Sequence, residues 1–260
     1  MDKIAVQEIR NKYDKENAHI DKWKIGFNHI TPLECKKVYP IVIENAHRHK
    51  RIAAILAENG EYGSAIAHLV LSSEELLKGA ILLGEGVGIK LRSKIKGINR
   101  FFNDHKIRHE FAAFINALGF ITSMMFEWLN AVKDKNEGVL KELTIEYRLI
   151  KNGDEKKSSY IQKLLFVFEG SEWWMKADYF KQRGFYVGFN NQVLTPDVYT
   201  ETDYMLAFQI VESLFKNIET IIAEVEKGSY TVNKEVLRYL EKNGFYSMFQ
   251  DMVDLSINFR

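Results

Sequence analysis

The sequence predicts an all-α protein, a multi-helix bundle, on three observations. Only three prolines interrupt 260 residues, apolar residues recur at alternating steps of four and three along several stretches, and one early segment carries a complete helix-start signature. Apolar residues make up 46% of the chain, enough to fill the core of one large domain.

Thr31-Pro32-Leu33-Glu34 is that helix start: a capping box, with proline pre-set at the first helical position. Pro40 comes too late to be a first-turn residue, so the helix is expected to kink or restart near Tyr39 before ending at Asn59-Gly60. The next helix begins near Glu61. Its stripe of Tyr62, Ile66, Leu69, Ser73, Leu76, Ala80 and Leu83 is matched by Leu71 and Leu82 on the opposite side, so both faces need cover and the helix is central.

The same rhythm runs through Ile107, Phe111, Phe114, Leu118, Thr122, Met125 and Leu129, and through Ala207, Val211, Leu214, Ile218, Ile221 and Val225. Between residues 143 and 160 alternation at Leu143, Ile145, Tyr147 and Leu149 ahead of Asn152-Gly153-Asp154 leaves a small β-hairpin insertion or a frayed helix open. Ser158 to Gln182 is helical in composition, and Arg183 to Phe189 is expected to be extended. Residues 1–30 form an N-terminal extension, 31–227 the main helical domain, and 228–260 a C-terminal appendage of two short helices.

Thirty-six basic against thirty-five acidic residues leave a net charge of +1, which excludes a broad electrostatic footprint for nucleic acid. The single cysteine, Cys35, forbids an intramolecular disulfide, and the first residues lack a signal-peptide core, so a cytoplasmic setting is expected. No apolar run is long enough to span a bilayer.

Chemistry concentrates around Arg100, His105 and His109. Asp104 is a helix N-cap candidate, and His105, His109, Ala112 and Asn116 then share one face, a polar stripe with small residues that suits a cleft or close approach of another chain. Arg100 and His105 pair a phosphate-clamping guanidinium with an imidazole that moves protons near neutral pH, although this spacing recurs by chance in a chain of such length. Two histidines four apart lack the further ligands a metal site requires, so neither metal nor cofactor is expected. The plain alternative is a pair of satisfied histidines near a helix end.

Glu74, Glu75 and Lys78 supply a second cluster. Glu74 and Lys78 stand four apart, as in a surface ion pair, but on a helix apolar on two sides at least one carboxylate is partly buried. It then needs a partner such as Lys78, Arg100 or a histidine. Arg183 with Tyr186 fits a packed connection whose arginine meets a carboxylate, and Trp173, Trp174, Tyr179 and Phe180 fit a core.

In their order and spacing, several segments resemble the AbiV family of bacterial abortive infection proteins, whose helical domain is related to the HEPN superfamily. They are Glu44-Asn45-Ala46, Gly60-Glu61-Tyr62-Gly63-Ser64-Ala65, Ser73-Glu74-Glu75 with Lys78, Asp104-His105-Lys106 with His109, and Arg183 with Phe185-Tyr186-Val187. The chain departs from the family pattern at Gly188, where an acidic residue is usual, and at Phe101, where a polar one follows the arginine.

The resemblance implies antiphage defence by a growth-arresting toxin, and through the HEPN relation a metal-independent endoribonuclease working as a homodimer. Arg100, His105 and His109 would be its catalytic group, supported by Glu74, Glu75, Lys78, Asp104, Lys106, Arg183 and Tyr186. The implied partners are a second copy, an RNA or ribosomal target and a phage-encoded activator. The alternative is a non-catalytic defence protein that binds the translation machinery or that activator.

Overall fold

A computed structural model describes residues 26–94, 98–117, 159–189 and 193–226, together with Gly119, Gly138, Lys141, Ile145 and Leu149. The expected extension before residue 26, the Met125 and Leu129 end of one stripe, the Asn152-Gly153-Asp154 turn and the C-terminal appendage beyond residue 226 lie outside the described residues. Among these the fold is all-α apart from one two-stranded hairpin.

After the short helix α1 (Gly26–His29), α2 spans Pro32–Glu58 and starts at the expected capping box. The Thr31 amide donates to Glu34 Oε2 at 2.6 Å and the Glu34 amide donates to Thr31 Oγ1 at 3.3 Å. Of the kink or restart expected near Tyr39, the restart does not occur: α2 runs through Pro40 as one element. Pro40 is exposed, so water can solvate the carbonyl that its missing N–H leaves free. Gly60, at φ +81°, ends the helix, its amide and that of Glu61 donating to Ala57 and Leu56.

Helix α3 (Tyr62–Gly86) is the axis of the domain, with eighteen of its 25 residues buried. A helix apolar on both sides needs tertiary cover, and here α2 lies along one side while two later helices take the others. The short α4 (Leu91–Lys94) and a 3₁₀ turn (Ile98–Phe102) lead into α5, helical over 105–117. The buried rings of Phe101, Phe102 and Phe111 pack edge to face where these segments meet.

Of the segment expected to hold a hairpin or frayed helix, Ile145, Leu149, Ser159 and Tyr160 are described, and all four are helical. Helix α6 (Ser159–Met175) and α7 (Ala177–Phe185) follow, so Arg183 ends a helix instead of opening an extended segment. The hairpin comes after it: β1 (Gly188–Phe189) pairs antiparallel with β2 (Val193–Leu194), Gly188 facing Leu194 and Phe189 facing Val193. Helix α8 (Glu201–Glu226) opens on a second reciprocal capping arrangement, Thr200 with Asp203, and buries Ala207, Val211, Leu214 and Ile218 as expected, but Ile222 instead of Ile221. Tyr39 to Glu226 at 2.7 Å and His47 to Glu219 at 3.1 Å tie α2 to α8.

Helix α7 reaches α3 through glycines. A Cβ on Gly184 would strike the Gly63 carbonyl oxygen and the Ala67 methyl, both parts of a rigid helix. Gly184→Val is therefore expected to cost about 1–3 kcal/mol through overpacking, read as a lowered midpoint in urea unfolding.

Candidate functional site

Four elements converge on one buried carboxylate. Glu74, in the middle of α3, is 2% exposed, and α5 and α7 supply the groups around it. Its Oε2 lies 2.6 Å from His105 Nδ1 and 2.9 Å from an Arg108 guanidinium nitrogen, while its Oε1 lies 3.1 Å from His109 Nε2 and 2.8 Å from Lys181 Nζ. The 3₁₀ turn closes the group, since the other terminal nitrogen of Arg108 donates to the Phe101 carbonyl at 2.7 Å.

A carboxylate is removed from water at this depth only when every lone pair finds a donor. Burial by itself pushes the Glu74 carboxyl up. The hydrogen bonds from His105 and His109 and the Arg108 charge override it and hold the group well below the ordinary carboxylate range. His109 is shifted down, because burial disfavours the imidazolium and the Lys181 and Arg108 charges oppose it, against the pull of Glu74. It is thus neutral, donates from Nε2 to Glu74, and stacks on the buried Trp174 at 6.3 Å.

His105 differs from the other members because its side chain is 48% exposed. Its Nδ1 faces Glu74, with an Arg108 nitrogen at 2.6 Å and Lys181 Nζ at 3.0 Å. Arg108 and Lys181 only donate and each has a Glu74 oxygen to donate to, so we assign the Nδ1 proton to the remaining contact, the one with Glu74 Oε2, which leaves Nε2 as the basic nitrogen. Carboxylate, imidazole and free nitrogen in that order form the dyad that fixes a histidine as general base. With His109 neutral, the Glu74 carboxylate sets one negative charge against the two fixed positive charges of Arg108 and Lys181. Asp178, half-exposed and 3.0 Å from Lys181, lies at the rim.

The predicted residues divide. Glu74, His105 and His109 come together, but Arg100 does not join them; it is 39% exposed and pairs with Asp104 at 3.5 Å, one helical turn along. Asp104 does act at the helix start, accepting from the Lys106 amide at 3.1 Å. Lys106 is exposed. Glu75 faces away toward α2, bonded to Asn45 and Lys78, so the expected Glu74–Lys78 pair is replaced by Glu75–Lys78. The polar stripe does not line a cleft: His109, Ala112 and Asn116 are buried, and Asn116 donates to the Ile210 carbonyl of α8. Tyr186 is exposed beyond the end of α7, and Arg183 meets tyrosines in place of a carboxylate.

Arg108 and Lys181 were missed. Each is a cation on the apolar side of its helix, Arg108 beside Ile107 and Phe111, Lys181 in the Ala177-Lys181-Gly184 row, and that placement was the available signal. A second histidine pair was also missed. His49 of α2 and His68 of α3 stand Nδ1 to Nδ1 at 3.0 Å, both shifted down chiefly by burial. Among the described residues no group of three or more histidine, cysteine, aspartate or glutamate side chains is placed to hold a metal, and no helix is long and apolar enough to cross a membrane.

These shifts set a pH response. His49, His68 and His109 bind protons less readily folded than at the ordinary imidazole value of 6.5, so their stabilisation is complete above that pH and is lost as pH falls through the folded values. Glu110, raised by burial, acts in the opposite sense but is one group against three. The melting temperature is expected to stay level from about pH 8 to 7 and to drop by several degrees toward about pH 5.5, at roughly 2–4 °C per kcal/mol. A melting temperature that rises on acidification would contradict this assignment.

No curated protein and no solved structure matches the chain. A family model does: the AbiV model of the HEPN class matches residues 34–216, a span that holds Glu74, His105, Arg108, His109 and Lys181. The chain belongs to the AbiV family, and so to the abortive infection proteins of antiphage defence.

Proposed function

We propose that the protein is a growth-arresting toxin that cuts RNA through its 2′-hydroxyl, with His105 Nε2 as the proton-moving group. The observation that carries this reading is the His105 imidazole itself, half-exposed as a side chain and held at Nδ1 by the buried Glu74 carboxylate. Attack of a 2′-oxygen on its neighbouring phosphorus needs a base at the nucleophile and an acid at the leaving 5′-oxygen, on opposite sides of the phosphate. One chain offers one accessible imidazole here, because His109 is buried against Trp174.

The second imidazole is accordingly taken from a second copy, which makes the active species a homodimer. Arg108 is 1% exposed and holds Glu74 and the Phe101 carbonyl, so it positions the dyad and does not reach substrate. The phosphate charge falls to the exposed cations flanking His105, Arg100 and Lys106.

The test is the chemistry of the ends. RNA from cells arrested by the protein is expected to carry 2′,3′-cyclic phosphates and 5′-hydroxyls, and an oligonucleotide with a 2′-deoxy sugar at the cut position is expected to resist. Growth arrest with RNA intact throughout would overturn the cleavage. It would favour a second reading, supported by the burial of Arg108 and the engagement of Arg100 with Asp104, in which the protein binds the translation machinery or a phage-encoded activator without cutting.

A further inference from the structure

Helix α7 carries a second cation with unmet bonding capacity, on the flank away from Lys181. Arg183 is half-buried, and its guanidinium lies 5.7 Å from the ring centre of Tyr179 and 5.9 Å from that of Tyr199. One terminal nitrogen donates to the Tyr179 hydroxyl. Its Nε is buried with no hydrogen-bond partner, and so is the Tyr199 hydroxyl. Among the described residues no carboxylate forms an ion pair with Arg183. The Asp203 charge is felt by Tyr199, and the Asp203 carboxylate accepts from the Thr200 amide at 2.8 Å and hydroxyl at 2.7 Å.

Buried donors without acceptors and a half-buried charge without a counter-charge are each unfavourable, and their concentration at one spot calls for a ligand that supplies both remedies. We propose that Arg183, with Tyr179 and Tyr199, binds the phosphate group of a nucleotide or of an RNA strand. Arg183 Nε–H and the Tyr199 O–H are two donors for a tetrahedral oxyanion, which has more acceptor atoms to offer than a carboxylate. The Tyr199 phenol stays a donor, since burial, outweighing the Arg183 charge, pushes it up to about 12. Tyr179, 52% exposed, turns an aromatic ring toward solvent on which a base can stack.

This site stands apart from Glu74 and His105 and does not rest on their being catalytic. Full-length His105→Ala protein, which leaves RNA uncut under the reading above, is titrated calorimetrically with inorganic phosphate, adenosine monophosphate, adenosine, acetate and a short RNA with or without a 5′-phosphate. Phosphate and the monophosphate are expected to bind, and adenosine and acetate are not. A tighter fit for the 5′-phosphorylated RNA than for the monophosphate identifies a strand as the source, and the reverse order a free nucleotide.

Arg183→Gln is expected to weaken binding about tenfold or more, and Tyr199→Phe, which keeps the ring, by a few-fold. Unchanged affinity in Arg183→Gln, acetate binding as tight as phosphate, or no binding of any phosphate-bearing probe at millimolar concentration would overturn the site. Should Arg183→Gln fail to fold, Tyr199→Phe decides: affinity equal to its parent's overturns the proposal.

Discussion

Replacing His105 by alanine is expected to abolish growth arrest and to slow RNA cleavage by about 10²–10⁴-fold, the usual contribution of a positioned general base or acid. The melting temperature should stay near that of the unaltered protein. His105 is half-exposed, and its loss leaves Glu74 still bonded to Arg108, His109 and Lys181. His109→Ala should do the reverse, lowering stability by about 1–3 kcal/mol through a lost bond to the buried Glu74 carboxylate and a void beside Trp174. Parallel melting curves and cleavage rates for the two variants therefore separate a reacting imidazole from a packed one. Equal stability losses with equal activity losses would make both histidines structural.

Glu74→Ala is expected to produce the largest loss of stability in the protein, about 3–5 kcal/mol, because it strands the Arg108 and Lys181 charges together in the interior. At roughly 2–4 °C per kcal/mol the melting temperature falls by about 6–20 °C. The cause is repulsion and desolvation more than a lost contact, so adding Arg108→Met and Lys181→Met to Glu74→Ala should recover part of the loss. A triple variant no more stable than Glu74→Ala would mean that packing around the carboxylate, not its charge, holds the four elements together. Chemical denaturation of the variants gives the comparison directly.

The helices were legible because their signals are local. Thr31 with Glu34 satisfies amides within one turn, Asn59-Gly60 marks a backbone conformation glycine adopts freely, and the Tyr62 to Leu83 stripe reports burial on its own helix. Pro40 misled because the cost of proline in a helix depends on whether water reaches the freed carbonyl, which is a property of the assembled surface. The hairpin at 188–194 is only two residues per strand, too short for alternation to show.

The candidate site was half legible. The expectation of a buried carboxylate at Glu74 or Glu75, with Lys78, Arg100 or a histidine as its partner, follows from a charge on a doubly apolar helix, and of those partners Glu74 takes the histidines, His105 and His109. Which of two adjacent glutamates turns inward is decided by the neighbours of α3, and Glu75 finds Asn45 on α2 and Lys78 on its own helix. Lys181 is 107 residues from Glu74 in sequence, a contact that no local spacing encodes. Arg100 matched the spacing of a phosphate-clamping pair, yet its side chain closes on Asp104, while Arg108, three residues beyond His105, enters the core.

The group that His105 Nε2 touches in an RNA complex decides whether this imidazole moves the proton. A crystal structure with an uncleavable RNA, 2′-deoxy at the cut position, measures that contact. The predicted result places Nε2 either against the 2′-carbon of the substituted nucleotide or roughly 3 Å from the leaving 5′-oxygen of the nucleotide that follows it, with Nδ1 still on Glu74. A strand bound elsewhere, with Nε2 facing only water or protein, would contradict it.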